Sequence, residues 1–484
     1  MFVEKIFREN DIRGRVDVDF DADFARLLGR AFAFVAKEIF CDNPHVTLVV
    51  GSDCRLSSPK LKEKLIEGII VEGVDVLDIG VNPTPQFYYT VHTHNVHGGI
   101  QITGSHNPIE ENGFKLLMGK TLLSNKALID LLERVKELAV APDAPQLHNG
   151  LRLIKTPGKV AQLDVERIYL KHLVDIFKGK IGKEQVPTTL AARIRGTRKI
   201  KVVCDAGNGM GSIIGPKLLK ELGCEVIELF CKPDGRFPNH HPDPTVAENL
   251  IQLRKTVVAK KADLGIAWDG DADRIGVVDE KGGIIYSDML AIIIGRQLIN
   301  EVRNPIIVTD SKCSDLLFSD LSVKGAIPVR YKTGHGNIKR KMKELNAHFA
   351  VEMSGHMFFA HEYFGFDDAF YASAKIIEIL SNTKSKISEL LNDLPKRVST
   401  PEIRLECPDE IKFQVAEQAQ KGFPEYSADT IDGIRINFPH GWSLVRASNT
   451  QPVLVLRFEA DIEEHLEEYQ DIVMGRIKNI VNGF

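Results

Sequence analysis

Short stretches of this chain gather residue types that do chemistry together. The first, Thr103 to Lys115, reads T-G-S-H-N-P-I-E-E-N-G-F-K. Ser105 lies between Gly104 and His106, and Asn107-Pro108 forces a turn straight after it, which is expected to present the serine outward on an exposed loop. Gly113 and Lys115 return flexible backbone and a cation to the same neighbourhood, which suits a hydroxyl that must carry or meet an anionic group. An ordinary strand-to-loop turn with a solvated lysine is the competing reading. The second stretch, Asp269-Gly270-Asp271-Ala272-Asp273-Arg274, places three carboxylates on alternate positions of one tight loop. At ~5 Å and an effective dielectric of ~20, each pair repels by roughly 3 kcal/mol, and a hard divalent cation would remove that penalty. A solvated acidic turn is the alternative.

The acidic stretch opens like a calcium EF-hand and has Glu280 at the twelfth position. Its sixth position, however, is Arg274 instead of glycine, and its flanks, Leu264 to Trp268 and Ile275 to Asp279, are strand-like. Few carboxylates with open positions for water or a phosphoryl oxygen describe Mg2+ better. Further along, Lys332-Thr333-Gly334-His335 offers a cation and an imidazole on a turn. Glu352-Met353-Ser354-Gly355-His356 offers a carboxylate and a hydroxyl with sugar-like hydrogen-bonding capacity, and a histidine able to move a proton near neutral pH. Arg446-Ala447-Ser448-Asn449-Thr450-Gln451-Pro452 gathers a guanidinium, two hydroxyls and an amide between two strands, the inventory for gripping a phosphate dianion. Near the start, F-R-E-N-D-I-R-G (Phe7 to Gly14) contributes Arg13, an anion ligand or the partner in a surface ion pair. Each residue taken singly reads as structural. Their occurrence in order, serine loop, metal loop, hydroxyl-reading loop, phosphate grip, reads as one site.

Three similar units position these stretches. Val46 to Val50 reads as a strand, followed by the turn Gly51-Ser52-Asp53-Cys54-Arg55, a helix capped by Ser58 with Pro59 at its first position, a stop at Gly73, and a strand from Val74 to Ile79. The pattern returns with strands at Ile200 to Cys204 and Glu225 to Phe230 around a helix from Pro216 to Leu222. It returns again with strands at Pro305 to Thr309 and Ala326 to Arg330 around a helix from Lys312 to Val323. These are expected to be related α/β domains with largely parallel sheets. Gly207, Gly209 and Gly211 follow a strand, but Ser212 stands where the dinucleotide fingerprint needs glycine, so this turn reads as tight packing. The end of the chain differs. Strands at Thr400 to Arg404, Gly433 to Phe438, Gly441 to Ala447 and Pro452 to Glu459, with helices at Asp409 to Gln420 and Ile462 to Val481, read as a small α+β lid domain. Val140 to Gly150 reads as a linker, and the basic stretch Lys178 to Lys201, which lacks interleaved aromatics, as a solvated insertion.

Composition sets outer limits. The chain has 484 residues, 43% hydrophobic and 26% charged, with a formal net charge of -4. Such a length calls for several domains. The near-neutral balance argues against a bulk partnership with nucleic acid or an anionic membrane. No apolar run approaches a bilayer span, and the N-terminus lacks a secretion pattern. The cysteines at 41, 54, 204, 224, 231, 313 and 407 make neither a disulfide framework nor a C-x-x-C pattern. The expected setting is a reducing cytoplasm.

The stretches T-G-S-H-N-P, D-G-D-A-D-R, E-M-S-G-H and R-A-S-N-T-Q-P, with N-D-I-R-G near the start and K-T-G-H between, resemble the α-D-phosphohexomutase superfamily, on its bacterial phosphomannomutase/phosphoglucomutase branch. The resemblance covers nearly the whole chain. It implies three related α/β domains with mixed or parallel sheets (1–153, 154–283 and 284–395) and a C-terminal α+β domain (396–484) around a central cleft. Ser105 would be the phosphoserine, and Asp269, Asp271 and Asp273 would hold Mg2+ together with the serine phosphate. Glu352 and Ser354 would read sugar hydroxyls, while Arg446, Ser448, Asn449 and Thr450 would hold the non-reacting phosphate. Arg13, His106, Lys115, Lys332, His335 and His356 match positions used around the phosphoryl group and for proton transfer, and the general base among them stays open. Three departures stand out: Val351 in place of a glycine before Glu352, G-S-D-C-R in place of G-R-D-G-R, and a longer basic insertion.

The activity so implied is a reversible mutase acting on a hexose monophosphate, through phospho-Ser105 and a hexose 1,6-bisphosphate, by a monomer or weak homo-oligomer. Met353 and the T-G-S before His106 resemble enzymes of mannose and glucose phosphates, whereas the phosphoglucosamine branch has glutamine at the position of Met353. Phosphoglucosamine mutase and a non-catalytic phosphosugar-binding protein are the alternatives. A phosphatase is a further one.

Overall fold

Three times in the chain an apolar strand, a helix and a second strand are followed by a third strand, and each time the three strands pair side by side in parallel. A computed structural model describes this arrangement for all residues except 1, 44, 124, 141–146, 149–150, 153–155, 182–197 and 449–451. The described residues fall into two compact units, 1–286 with 354–390, and 287–353 with 391–484.

In the first unit, Thr47–Ser52 pairs in parallel with Asp75–Val81 on one side and Gly98–Ile102 on the other. Glu111–Met118 adds antiparallel to Gly98–Ile102, and Ile12–Arg15 adds antiparallel beyond it. Val160–Gln162 closes the opposite edge in parallel. The sheet is therefore mixed with a parallel centre, and that centre is buried, as strands covered on both faces must be. Helix Ala22–Ile39 sinks Phe24, Leu28 and Phe32 into the core beside Leu65 and Ile69 of helix Ser58–Val71. Each such side chain contributes about 1.5–3 kcal/mol. The two helices touch through small residues: a Cβ on Gly29 would lie 2.3 Å from the Leu65 carbonyl oxygen, and one on Gly68 2.1 Å from that of Arg26.

The second occurrence centres on Lys201–Asp205, flanked in parallel by Glu225–Leu229 and Leu264–Trp268. Ile275–Asp279 and Ile284–Ile285 continue the sheet antiparallel. The glycine-rich turn serves packing, as expected: the buried Trp268 ring lies where Cβ atoms on Gly211 and Gly215 would stand. Its indole nitrogen donates to Ser373 Oγ at 3.1 Å, on helix Ala369–Ser381.

In the second unit, Ile306–Asp310 is flanked in parallel by Ile327–Tyr331 and Phe349–Val351. The C-terminal part is an antiparallel sheet running Ser427–Asp429, Ile434–Phe438, Gly441–Ala447 and Val453–Ala460, with Ile403–Glu406 and Val398–Ser399 both paired to the last strand. Leu454, Leu456, Phe458 and Ala460 alternate onto one face and pack with Leu466, Val473 and Ile477 of helix Glu463–Asn482.

Several expected boundaries move. Ser58 is the first residue of its helix instead of the cap, and its hydroxyl donates to Asp53 Oδ1 at 2.5 Å. The helix expected from Lys312 opens at Asp315, because Ser314 takes the capping role by accepting from the Leu316 N–H. The helix expected from Pro216 opens earlier, at Gly211. The strand expected from Thr400 begins at Ile403, past Pro401, which has no N–H to give to a ladder. Most of the expected linker and of the basic insertion lies outside the described residues, but Arg198 at the insertion's end donates to the Ser385 carbonyl and pairs with Asp263. No helix among the described residues is long and apolar enough to cross a membrane.

Candidate active site

The third parallel strand of each repeat runs out into one of the chemically interesting loops: Gly98–Ile102 into the serine loop, Leu264–Trp268 into the acidic loop, and Phe349–Val351 into E-M-S-G-H. The C-terminal ends of parallel strands are where open α/β sheets place their ligands.

Ser105 is not on the surface. It is 1% exposed, in contrast to the expected outward presentation. Two contacts from distant parts of the chain cover it. Arg55 donates to four carbonyl oxygens of the loop, those of Ser105 (2.8 Å), Asn107 (2.7 Å), Pro108 (2.5 Å) and Glu111 (2.8 Å). Gly270 lies against the same residue, where a Cβ would stand 2.1 Å from the Ser105 carbonyl oxygen. The loop adopts a tight turn with Ser105 at φ +49°, the left-handed region. Asp53 Oδ2 accepts from the Gly104 N–H at 3.1 Å and Thr103 Oγ1 from the Ser105 N–H at 2.8 Å. The hydroxyl of Ser105 donates to Asp269 Oδ2 at 2.8 Å.

Asp269, Asp271 and Asp273 are each 0% exposed, and one oxygen of each lies within 4.8 Å of the others. The solvated-turn reading therefore fails. Lys115 lies beneath them, donating to Asp271 Oδ2 at 2.8 Å and also to Asp273. Thr84 Oγ1 donates to Asp271 at 2.6 Å. Burial opposes the lysine's charge, but Asp271 and Asp273 overcome it and raise its pKa. Burial likewise opposes ionisation of Asp273, and the Lys115 ammonium overcomes it, leaving its carboxyl well below the usual range. Burial and Asp273 act against Asp271, and Lys115 with Thr84 brings it below the ordinary value. At Asp269, burial and the charges of Asp271 and Asp273 outweigh the pull of Arg274 and Lys115 and push its carboxyl well above the usual range. Lys115 thus donates to two of the three carboxylates. Asp271 Oδ1 is buried without a hydrogen-bond partner among the described residues. An all-oxygen donor set short of positive charge fits a hard divalent cation.

Arg274 ties two imidazoles to this centre. Its Nη1 lies 3.4 Å from His106 Nε2, and its Nε donates to His356 Nε2 at 3.1 Å. Arginine can only donate, so His106 Nε2 accepts and its Nδ1 carries the proton. That Nδ1 lies 3.2 Å from Ser105 Oγ. Burial, Arg274 and Arg13 hold His106 well below the usual histidine range, so the ring is neutral. The result is a directed chain, Arg274 to His106 to Ser105 to Asp269. His356 also lies 3.2 Å from Asp273 Oδ1, and its Nδ1 is 3.2 Å from Ser354 Oγ. Arg13 is both an ion-pair partner, to Asp11 at 2.6 Å, and a donor to Asn107 in the serine loop at 2.9 Å. The first unit therefore brings together Ser105, Arg13, His106, Lys115, the three aspartates, Arg274, Ser354 and His356.

In the second unit two aspartates that the sequence reading passed over hold Arg446, the K-T-G-H turn and the backbone of Met353. Asp432 Oδ2 accepts from Arg446 Nε (3.0 Å), the Thr333 N–H (3.0 Å) and Ser311 Oγ (2.8 Å). Asp310 Oδ2 accepts the Met353 N–H at 3.1 Å. Glu352, 2% exposed, accepts the Gly334 N–H at 2.7 Å. The K-T-G-H turn, the E-M-S loop and Arg446 are thereby held in one network. His335 begins helix His335–Leu345, Lys332 is exposed, and Ser448 is buried. Asn449 and Thr450 lie outside the described residues.

Asp53, Arg55, Thr84, Asp310 and Asp432 were missed. The first two carried a signal, because G-S-D-C-R keeps the aspartate and the terminal arginine of G-R-D-G-R. Asp53 and Asp310 also occupy the same place in their repeats, directly after or at the end of the first strand.

A buried serine thus faces three buried carboxylates at the ends of parallel strands, with Lys115 and Arg13 brought in by antiparallel strands of the first sheet. Four domain families match the chain in sequence: phosphoglucomutase/phosphomannomutase α/β/α domains I (residues 4–137), II (182–283) and III (286–398), and the C-terminal domain (402–476). The chain belongs to the phosphoglucomutase/phosphomannomutase family. It is 40% identical over 477 residues, 98% of this chain and 96% of the relative, to a phosphomannomutase/phosphoglucomutase of Pseudomonas aeruginosa. It is 39% identical to a phosphoglucomutase of Neisseria gonorrhoeae, covering 96% and 95%. A crystal structure of a phosphoglucomutase/phosphomannomutase family protein from Burkholderia thailandensis matches with a TM-score of 0.86 at 36% identity, covering 99% of this chain and 98% of that one.

Proposed function

We propose that the protein is a mutase that interconverts hexose 6-phosphate and hexose 1-phosphate, of mannose, glucose or both, by way of phospho-Ser105 and a hexose 1,6-bisphosphate. The observation that carries this reading is the 2.8 Å hydrogen bond from Ser105 to Asp269, within a trio of buried carboxylates. Mg2+ would be held by Asp269, Asp271, Asp273 and the serine phosphate, and when bound it supplies charge neutralisation for the phosphoryl oxygens.

The chain's own residues do the rest. Phosphoryl transfer has a loose transition state with charge on peripheral oxygens, so placed cations contribute most. Arg13 and Lys115 provide fixed positive charge beside the serine. As the phosphoryl group departs, charge develops on Ser105 Oγ, and the neutral His106 ring keeps its Nδ1 proton while donating it as a hydrogen bond to that oxygen. The proton released by the attacked sugar hydroxyl ends on Ser105 Oγ, and it returns to the sugar oxygen when the second phosphate comes back. Glu352 and Ser354 are assigned to the sugar hydroxyls, and Arg446, Ser448, Asn449 and Thr450 to the phosphate that is not reacting, with Lys332, His335 and His356 near the substrate.

Coupled assays with mannose 1-phosphate and glucose 1-phosphate, run beside glucosamine 1-phosphate, test the reading. Activity is expected on the first two and abolished in Ser105→Ala, and intact mass is expected to gain one phosphate in the native protein after hexose bisphosphate. Dominant glucosamine activity, or full activity in Ser105→Ala, overturns it.

A further inference from the structure

The C-terminal sheet carries a second cluster of ligand-type side chains in the second unit, one that the proposed mutase chemistry does not use. His440 sits on the turn between Ile434–Phe438 and Gly441–Ala447, Asp461 follows directly on Val453–Ala460, and His465 lies in the first turn of helix Glu463–Asn482. Sheet register brings them together: Gly441 is opposite Ala460, and the Asp461 N–H donates to the His440 carbonyl at 3.1 Å. Arg397 donates to the same carbonyl at 3.2 Å, and the Tyr469 hydroxyl accepts the His440 N–H at 3.2 Å.

The side chains converge. His440 Nδ1 is 3.1 Å from Asp461 Oδ2, and His465 Nδ1 is 2.6 Å from Asp461 Oδ1. The two imidazoles stack at 4.2 Å with 9° between their planes, and one ligand atom from each of the three residues lies within 4.8 Å of the others. A pair of ordinary surface ion pairs explains this poorly. Exposed ion pairs contribute little and do not by themselves draw three ligand-type groups within 4.8 Å of one another. Two imidazoles and one carboxylate with ligand atoms this close are instead the donor set of a borderline transition-metal ion. Because two stacked planes 9° apart cannot both point a lone pair at one ion, coordination requires the half-exposed His440 ring to leave the stack.

We propose that His440, Asp461 and His465 form a surface site for a divalent transition-metal ion of the Zn2+ class, with water completing the coordination. Its ligands separate it chemically from the aspartate trio. Imidazole nitrogen selects Zn2+, Ni2+ or Cu2+ over Mg2+, whereas three carboxylates favour the hard ion. Occupation would tie the hairpin turn to the first turn of the terminal helix. It would therefore stabilise the C-terminal domain without entering the phosphoryl chemistry.

Calorimetric titration of tag-free, full-length protein with Zn2+, in excess Mg2+ to saturate the aspartate trio, tests the site. Wild type is expected to bind one Zn2+ and to melt at a higher temperature in its presence. His465→Ala and His440→Gln are each expected to lose at least about tenfold in Zn2+ affinity, to lose the thermal shift, and to keep mutase activity in Mg2+ alone. His440→Gln alters an exposed turn and keeps the test decisive should His465→Ala fold poorly. Cobalt substitution is expected to give visible bands in wild type that vanish in both variants. Unchanged Zn2+ affinity in the variants, or no Zn2+ binding by wild type under excess Mg2+, overturns the proposal.

Discussion

Ser105 and Asp269 lie 164 residues apart in the chain, and the serine hydroxyl donates to the aspartate across 2.8 Å. That bond joins the ends of two strands from different sheets of the first unit. It also terminates the chain of donors that starts at Arg274, so the serine oxygen has one proton aimed at it and one acceptor for its own.

Replacing Asp271 by Asn tests the charge arrangement beneath that bond. The variant keeps the carboxylate's shape but removes one of the two charges that Lys115 neutralises. Turnover is expected to fall at least about 100-fold, with a rise in the Mg2+ concentration needed for half activity, read by titrating Mg2+ into chelator-treated enzyme. Unchanged Mg2+ dependence would remove Asp271 from the ligand set.

Gly270→Ala probes the contact between the acidic loop and the serine loop. A methyl group there meets backbone, the Ser105 carbonyl oxygen at 2.1 Å, so one loop must shift. A loss of about 1–3 kcal/mol in urea unfolding is expected. Because the shift moves Ser105 away from Asp269, kcat should fall by more than that destabilisation alone would cause.

Arg55→Lys separates charge from geometry. An ammonium cannot reach four carbonyl oxygens as the planar guanidinium does, so the buried Ser105 carbonyl risks losing its partner at about 1–3 kcal/mol and the part-buried acceptors lose less. Lower thermal stability and a reduced kcat with little change in KM are the expected readouts.

Glu402 supplies a pH signature in the second unit. Lys312 at 3.1 Å, working against burial, brings its pKa from an ordinary 4.5 to about 2. A carboxyl depressed in the folded state stabilises above its unfolded value, and the contribution disappears as pH falls from 4.5 toward 2. Screening at a side chain 31% exposed reduces the effect to about 1–2 kcal/mol. Urea unfolding of wild type and Glu402→Gln should differ by that amount at pH 7 and converge near pH 2.

Much of the architecture is legible in local pattern. Apolar runs such as Leu48 to Val50 and Leu264 to Ile266, helices stopped at Gly73 and Gly223, and turns forced by Asn107-Pro108 depend on propensities within a few residues. The acidic loop is legible for the same reason, since the repulsion of carboxylates on alternate positions is written into neighbouring residues.

What required the folded chain is everything set by register between distant strands. The burial of Ser105, the grip of Arg55 on its loop, and the convergence of Arg446 and Thr333 on Asp432 all join residues whose neighbours in sequence carry no trace of the partner. The serine's place on a turn was written in its own loop. Its burial was not, because the groups that cover it arrive from other strands and are brought there by the pairing of whole sheets.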